Sequence, residues 1–272
     1  MTVQNKDLSA LPEKTAKRRV PPTRDAGTGV ARVRCSRMAE RAGRDSRGMV
    51  LARIRDLPRS RDVPRSRAAT REFRKAQLIE STIDSIAKRG FAETTLADVA
   101  DGAGLSRGIV NFHFQSKEQL LVETLQLIAE EYREVWRRAL AKAGSVTVDR
   151  LIAMVQSDFD PAVCNRKKIA VWYAFWGEAK SRPTYLKLCA DRDREYAEAF
   201  HALVRAMIEE GGYEGLDAEL VAQGLSALTD GLWLDFLVDP KNFDRDRART
   251  TAFLFLAAVF PRHIGPDGKP KG

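Results

Sequence analysis

Cysteine, histidine and long apolar runs are scarce in this 272-residue chain. Its three cysteines, Cys35, Cys164 and Cys189, are odd in number and widely spaced. They suggest no disulfide framework and no metal motif, and they fit a reducing, cytoplasmic setting. The three histidines, His113, His201 and His263, share no metal-ligand spacing, so no metal and no cofactor is expected. The longest strongly apolar run, near residues 253–260, is far short of the ~20 residues that span a bilayer, so no membrane partner is expected. The N-terminus shows no apolar core of a secretory signal. No phosphate-binding loop is present, and no catalytic residues stand out. An enzyme on a helical scaffold stays open as a reading of another class, and turnover of a ligand would separate it from a sensor.

Residues 1–68 also lack aromatics, and they hold 18 Lys and Arg against 7 Asp and Glu. The other 204 residues hold 28 against 30. The net charge of +9 is therefore a property of the N-terminal quarter and says nothing about the body. Prolines and glycines interrupt this quarter. It cannot bury enough apolar surface to offset its ordering entropy, which predicts a disordered basic arm. Such an arm either follows DNA phosphates or is a solvated extension. The second is favoured, with the arm adding at most salt-dependent, non-specific affinity.

From Arg71 the texture becomes helical. Phe73, Leu78, Ile79, Ile83 and Ile86 recur with helical spacing, and Gly90 ends the run. Helices are expected over Thr95–Asp101, Ser106–Phe114, Ser116–Ala141, Val148–Asp158, Arg166–Lys180, Thr184–Glu210, Ala218–Val238 and Asp246–Phe260. Ser116 with Gln119 reads as a capping box. The fold class is all-α, with about nine helices. The expected organisation is a basic extension (1–68), a helix-turn-helix domain (69–117), a helical ligand and dimerisation bundle (118–263) and a disordered tail (264–272).

Residues 94–114 carry the most information. Leu96, Val99 and Ala100 form an apolar face, Gly102 and Gly104 supply a sharp turn, and Leu105 plugs the corner. Ser106 is expected to cap the next helix. Ile109 and Val110 face inward, which leaves Arg107, Gly108, Asn111 and Phe112 outward, as on a recognition helix.

This segment resembles the DNA-binding domain of the TetR family of bacterial repressors. The matching residues are Gly90, Thr94-Thr95, Val99-Ala100, Ala103-Gly104-Leu105-Ser106, His113-Phe114 and Ser116-Lys117-Glu118-Gln119-Leu120. Where that family usually has Tyr two residues before the His, this chain has Asn111, which can bond phosphate or adenine. The resemblance implies double-stranded operator DNA as partner and Thr94, Thr95, Ser106, Arg107, Gly108, Asn111, Phe112, His113 and Lys117 as the DNA-binding set. Arg107 would meet a base edge, and Thr95, His113 and Lys117 would hold phosphates.

The motifs Ala174-Phe175-Trp176, Arg192-Asp193-Arg194 and Gly224–Trp233 are similar to the choline-responsive branch of that family, which represses glycine betaine synthesis genes. This implies a homodimer and a small-molecule inducer, choline or a related quaternary ammonium, with a different small molecule as the alternative. Rings and a carboxylate suit such a cation. Trp172, Tyr173, Trp176, Asp230 and Trp233 are the candidate ligand residues, although aromatics at helical spacing are also ordinary core. The apolar run Ala252–Phe260 on the last helix suggests a buried dimer contact with its neighbour, Ala218–Val238.

Overall fold

The computed structural model describes residues 66–179 and 181–271. The expected disordered arm lies outside the described residues up to position 65. At its end the expectation needs a correction: Ser66 caps a helix by accepting from Ala69 N–H at 3.1 Å, so Arg67 and Ala68 are already helical.

Among the described residues there are nine helices and no strand. They are α1 (Arg67–Arg89), α2 (Leu96–Gly102), α3 (Arg107–His113), α4 (Lys117–Lys142), α5 (Thr147–Asp158), α6 (Arg166–Ala179), α7 (Pro183–Gly211), α8 (Ala218–Val238) and α9 (Arg245–Val259). The all-α reading holds, and the helix bounds fall within a few residues of those expected from periodicity.

Local chemistry explains most of the ends. Asp217 and Asp244 cap α8 and α9 through backbone N–H groups two and three residues on. Pro183 opens α7, where a missing N–H costs nothing, and Gly212 closes it at φ 56°. Ser116 accepts from Gln119 N–H at 3.1 Å as expected, but the Gln119 amide oxygen accepts from Gln115 N–H rather than from Ser116.

The buried stripe of α1 packs on α2, α4 and α6, and α2 packs on α3. With 26 residues, α4 is about 39 Å long and runs out of this small unit into the bundle against α5, α6 and α7. There α7 meets α5, α6 and α8, and α9 lies on α8 and α5. One apolar cluster runs without a break from Leu78 on α1 to Ile264 beyond α9.

The C-terminal tail, expected to be disordered from residue 264, is folded instead. Ile264 is buried and bridges Pro270, and Lys271 N–H reaches His263 C=O at 2.8 Å. Gly268 has φ 73° and lies so close to the Phe253 ring that any Cβ would clash. A short polar tail thus gains order from one apolar anchor and one glycine, a signal too small to register as periodicity.

Candidate functional site

Two regions concentrate the candidate residues. The first is built by α1–α3. Thr95 caps α2: its hydroxyl accepts from Asp98 N–H at 3.2 Å and donates to Asp98 Oδ2 at 2.6 Å. That hydroxyl, then the Thr95 N–H, hold the Asp98 carboxyl below its usual range, and Arg89 adds an ion pair at 3.0 Å. The turn to α3 is closed by Leu105 N–H on Ala100 C=O at 2.9 Å, with Gly104 at φ 64°. Gly102 was expected to supply positive φ as well. It is helical, and its value lies elsewhere: a Cβ there would strike Ser81 Oγ, which donates to Val99 C=O at 2.8 Å and ties α1 to α2.

Val99, Ala100, Val110 and Phe114 are buried beneath this turn, while Ser106, Arg107, Gly108, Asn111 and Phe112 are exposed on one surface. Ser106 stands at the N-cap of α3 without the expected side-chain bond; Ile109 and Val110 N–H groups bond its carbonyl instead.

Thr94 does not belong to this surface. It is 1% exposed, donates to Gly90 C=O at 2.8 Å and accepts from Ser85 at 3.2 Å, so it locks the α1–α2 connection. Successive side chains on extended backbone point to opposite sides, and Thr95 is extended, so the adjacent pair Thr94-Thr95 divides into a core residue and a cap. Lys117 is half-buried at the start of α4, with Nζ at 3.5 and 3.4 Å from the Phe91 and Ala92 carbonyls. His113 is half-buried, and burial first, then Arg71 and Lys75, push its pKa down.

The second region is a cavity of about 590 Å³ in the bundle, walled by α4, α5, α6, α7 and α8. Of the five ligand candidates, Trp176, Asp230 and Trp233 line it. Trp172 does not: it is 2% exposed and packs in the core, with its ring 6.5 Å from that of Trp176. Tyr173 is also a supporting residue, with its hydroxyl donating to Asp230 C=O at 2.7 Å and its ring edge-on to Trp176. Burial and then Asp230 and Asp235 push the Tyr173 phenol up to about 12, which keeps it a donor.

The cavity wall holds a group that sequence reasoning missed. Asp158, the last residue of α5, is 3% exposed. Its two carboxylate oxygens each accept a phenol at 2.7 Å, Tyr132 of α4 on one and Tyr196 of α7 on the other. Trp233 of α8 donates its indole N–H to the Asp158 carbonyl at 3.1 Å. The rings stand around the carboxylate: Tyr132 lies edge-on to Trp233 at 6.1 Å and 5.4 Å from Tyr196, and Tyr196 stacks on Phe200. Among the described lining residues are Asp158, Glu198, Glu219 and Asp230, and no lysine or arginine. The available signal was the i, i+4 aromatic pairs Tyr132–Trp136 and Tyr196–Phe200. Nothing in the sequence places Asp158 between them.

Residues 78–124 match the model of the tetR family of bacterial regulatory proteins, and residues 147–261 match the C-terminal domain of BetI-type transcriptional repressors. The chain is 31% identical over 190 residues to the HTH-type transcriptional regulator BetI 1 of Chromohalobacter salexigens, covering 70% of this chain and 91% of that protein. It is 33% identical over 184 residues to BetI of Stenotrophomonas maltophilia, covering 67% and 91%. Among solved structures, a transcriptional regulator of Pseudomonas aeruginosa shares 29% identity with a TM-score of 0.62, covering 70% of this chain and 91% of that one. A regulator of Saccharomonospora viridis, solved in complex with choline, shares the fold with 24% identity and a TM-score of 0.57, covering 66% and 94%. These relatives are regulators rather than enzymes, and no helix among the described residues is long and apolar enough to cross a membrane. With its helix-turn-helix joined to a bundle around an aromatic cavity, the chain belongs to the TetR family of transcriptional regulators and is a BetI-type repressor.

Proposed function

We propose that this repressor binds its operator as a homodimer and is released by choline or a closely related quaternary ammonium, so that it controls choline and glycine betaine metabolism. One observation carries the ligand reading: a buried carboxylate whose oxygens are covered by two tyrosine hydroxyls, in a cavity walled by tyrosine and tryptophan rings. A quaternary ammonium has no hydrogen to donate, so recognition rests on ring faces and negative charge. Each ring face contributes about 0.5–2 kcal/mol to a bound cation, more where water is excluded. Tyr132, Tyr196, Trp176 and Trp233 supply the faces, and Asp158 the charge, with Asp230 at the exposed rim. A regulator of S. viridis with the same fold was solved in complex with choline, which supports choline as the class of ligand.

The dimer reading rests on α8 and α9. Leu220, Leu234 and Val238 of α8 and Leu254 of α9 are exposed apolar side chains. A four-helix contact with a second copy would cover them. A single seven-residue recognition helix reads few base pairs, and a two-fold pair about 34–36 Å apart matches successive major grooves. In this arrangement Arg107 and Asn111 reach base edges, and Thr95, His113 and Lys117 hold phosphates. The ligand shifts the protein away from its operator-binding conformer only by binding the other conformer more tightly.

Choline should raise the melting temperature, quench tryptophan fluorescence and release operator DNA. The neutral analogue with a tert-butyl group in place of trimethylammonium should do none of these. Asp158→Asn keeps a hydrogen-bonding side chain but removes the charge, and should weaken choline about 10–100-fold with operator binding intact. Release by the neutral analogue at equal concentration would mean that the cavity is merely apolar.

A further inference from the structure

Phe112 is the one aromatic side chain among the large apolar residues that stand exposed in the described part of the chain. It is 69% accessible, and the others are aliphatic and lie in the C-terminal bundle or its connections. A phenyl ring held in water forgoes the stabilisation that burial would bring. Its described ring neighbours are polar. The Arg71 guanidinium lies 5.5 Å from its centre, and the His113 imidazole stands edge-on at 5.2 Å.

Arg71 comes from the start of α1, not from the helix-turn-helix motif. With Arg67 and Arg74, at spacings of four and three, it forms one stripe along that helix. A cleft of about 710 Å³ separates this stripe from α3, with the three arginines and Glu72 on one wall and Phe112 and His113 on the other. A second protein copy docking here would bring like charges together, whereas duplex DNA neutralises them.

We propose that Phe112 reads a thymine in the major groove by covering its 5-methyl group, while Arg71, held over the same ring, clamps a neighbouring phosphate. This rests on the operator-binding reading. Thymine alone offers an apolar group in the major groove, and a phenyl ring has no hydrogen bond with which to read anything else. The guanidinium is planar by delocalisation, and its place over the ring face restricts it before DNA arrives. Specificity and positioning are thereby divided between α3 and α1.

The test uses the full chain and a duplex that it selects from a random library, with each thymine replaced in turn by deoxyuridine, which removes only the methyl group. One position per half-site should cost about fourfold in affinity, the value of one buried methyl. Phe112→Ala should cancel that penalty at that position alone, and Phe112→Leu should retain most of it. Arg71→Ala should keep the penalty and lower the slope of log affinity against log salt by about one per protomer. A wild-type chain indifferent to every deoxyuridine, or a penalty that persists in Phe112→Ala, overturns the thymine assignment. An unchanged salt slope in Arg71→Ala overturns the clamp. A chain that selects no duplex at all overturns operator binding itself, and with it this proposal.

Discussion

The DNA-facing unit and the ligand cavity are made in opposite ways. In the first, the motif residues from Thr94 to Lys117 form one continuous stretch, and most of their roles follow from caps, a turn glycine and helical phase. In the second, Tyr132, Asp158, Trp176, Tyr196 and Trp233 come from five helices spread over about 100 residues. Local rules can place a side chain on one helix face, but they do not say which other helix that face will meet. Recognition of a duplex needs an outward surface on a small rigid frame. Enclosing a cation needs walls on every side.

The contrast is sharpest inside one helix. Trp172 and Trp176 are four residues apart on α6 and equivalent by periodicity, yet one is core and the other lines the cavity. Trp172→Ala should cost about 3–5 kcal/mol, lowering the melting temperature by on the order of 10 °C in calorimetry. Trp176→Ala should leave the free protein near its original melting temperature and weaken choline in titration calorimetry. Equal thermal losses in the two variants would break the division.

A second pair divides the DNA-facing unit. Arg107→Ala should cost about 1–3 kcal/mol on operator and little on random DNA, measured by anisotropy. Thr94→Val leaves Gly90 C=O and Ser85 without their described partner and should cost about 1–3 kcal/mol of folding stability, with the operator-to-random ratio unchanged. A changed ratio in Thr94→Val would return that residue to the DNA surface.

The smallest expected effect concerns pH. Burial keeps the folded His113 imidazole below its ordinary pKa of 6.5, so the folded state binds fewer protons than the unfolded chain just below that value. Its contribution to folding is full above about pH 6.5 and is lost as the pH falls toward the folded value. A phosphate contact favours the imidazolium, so operator affinity should rise modestly as the pH falls through the same window. His113→Gln should flatten that slope, and an unaltered slope would remove His113 from the phosphate contacts.

Legibility in the sequence followed the range of the interactions. The helices were readable because apolar spacing and caps act over a few residues, and the motif around α2 and α3 because its turn has fixed chemistry. The exceptions inside it, Thr94, Gly102 and Ser106, all depend on where α1 lies or on which way a hydroxyl turns. In the cavity, the aromatic residues of α6 and α8 were visible as a class, but the division into wall and core was not. The folded tail was missed because its order depends on Phe253 beneath Gly268.

By itself, then, the sequence determined an all-helical chain, the turn that presents α3, the family, and the confinement of the positive charge to the first quarter. These depend on composition and on near neighbours, which covalent geometry and helical phase hold in place. Only the tertiary structure decided that a carboxylate at the end of α5 sits between two tyrosines from α4 and α7, and that an arginine of α1 lies over the exposed ring of α3. Those pairings depend on how the helices cross, which is set by the packing of the whole core.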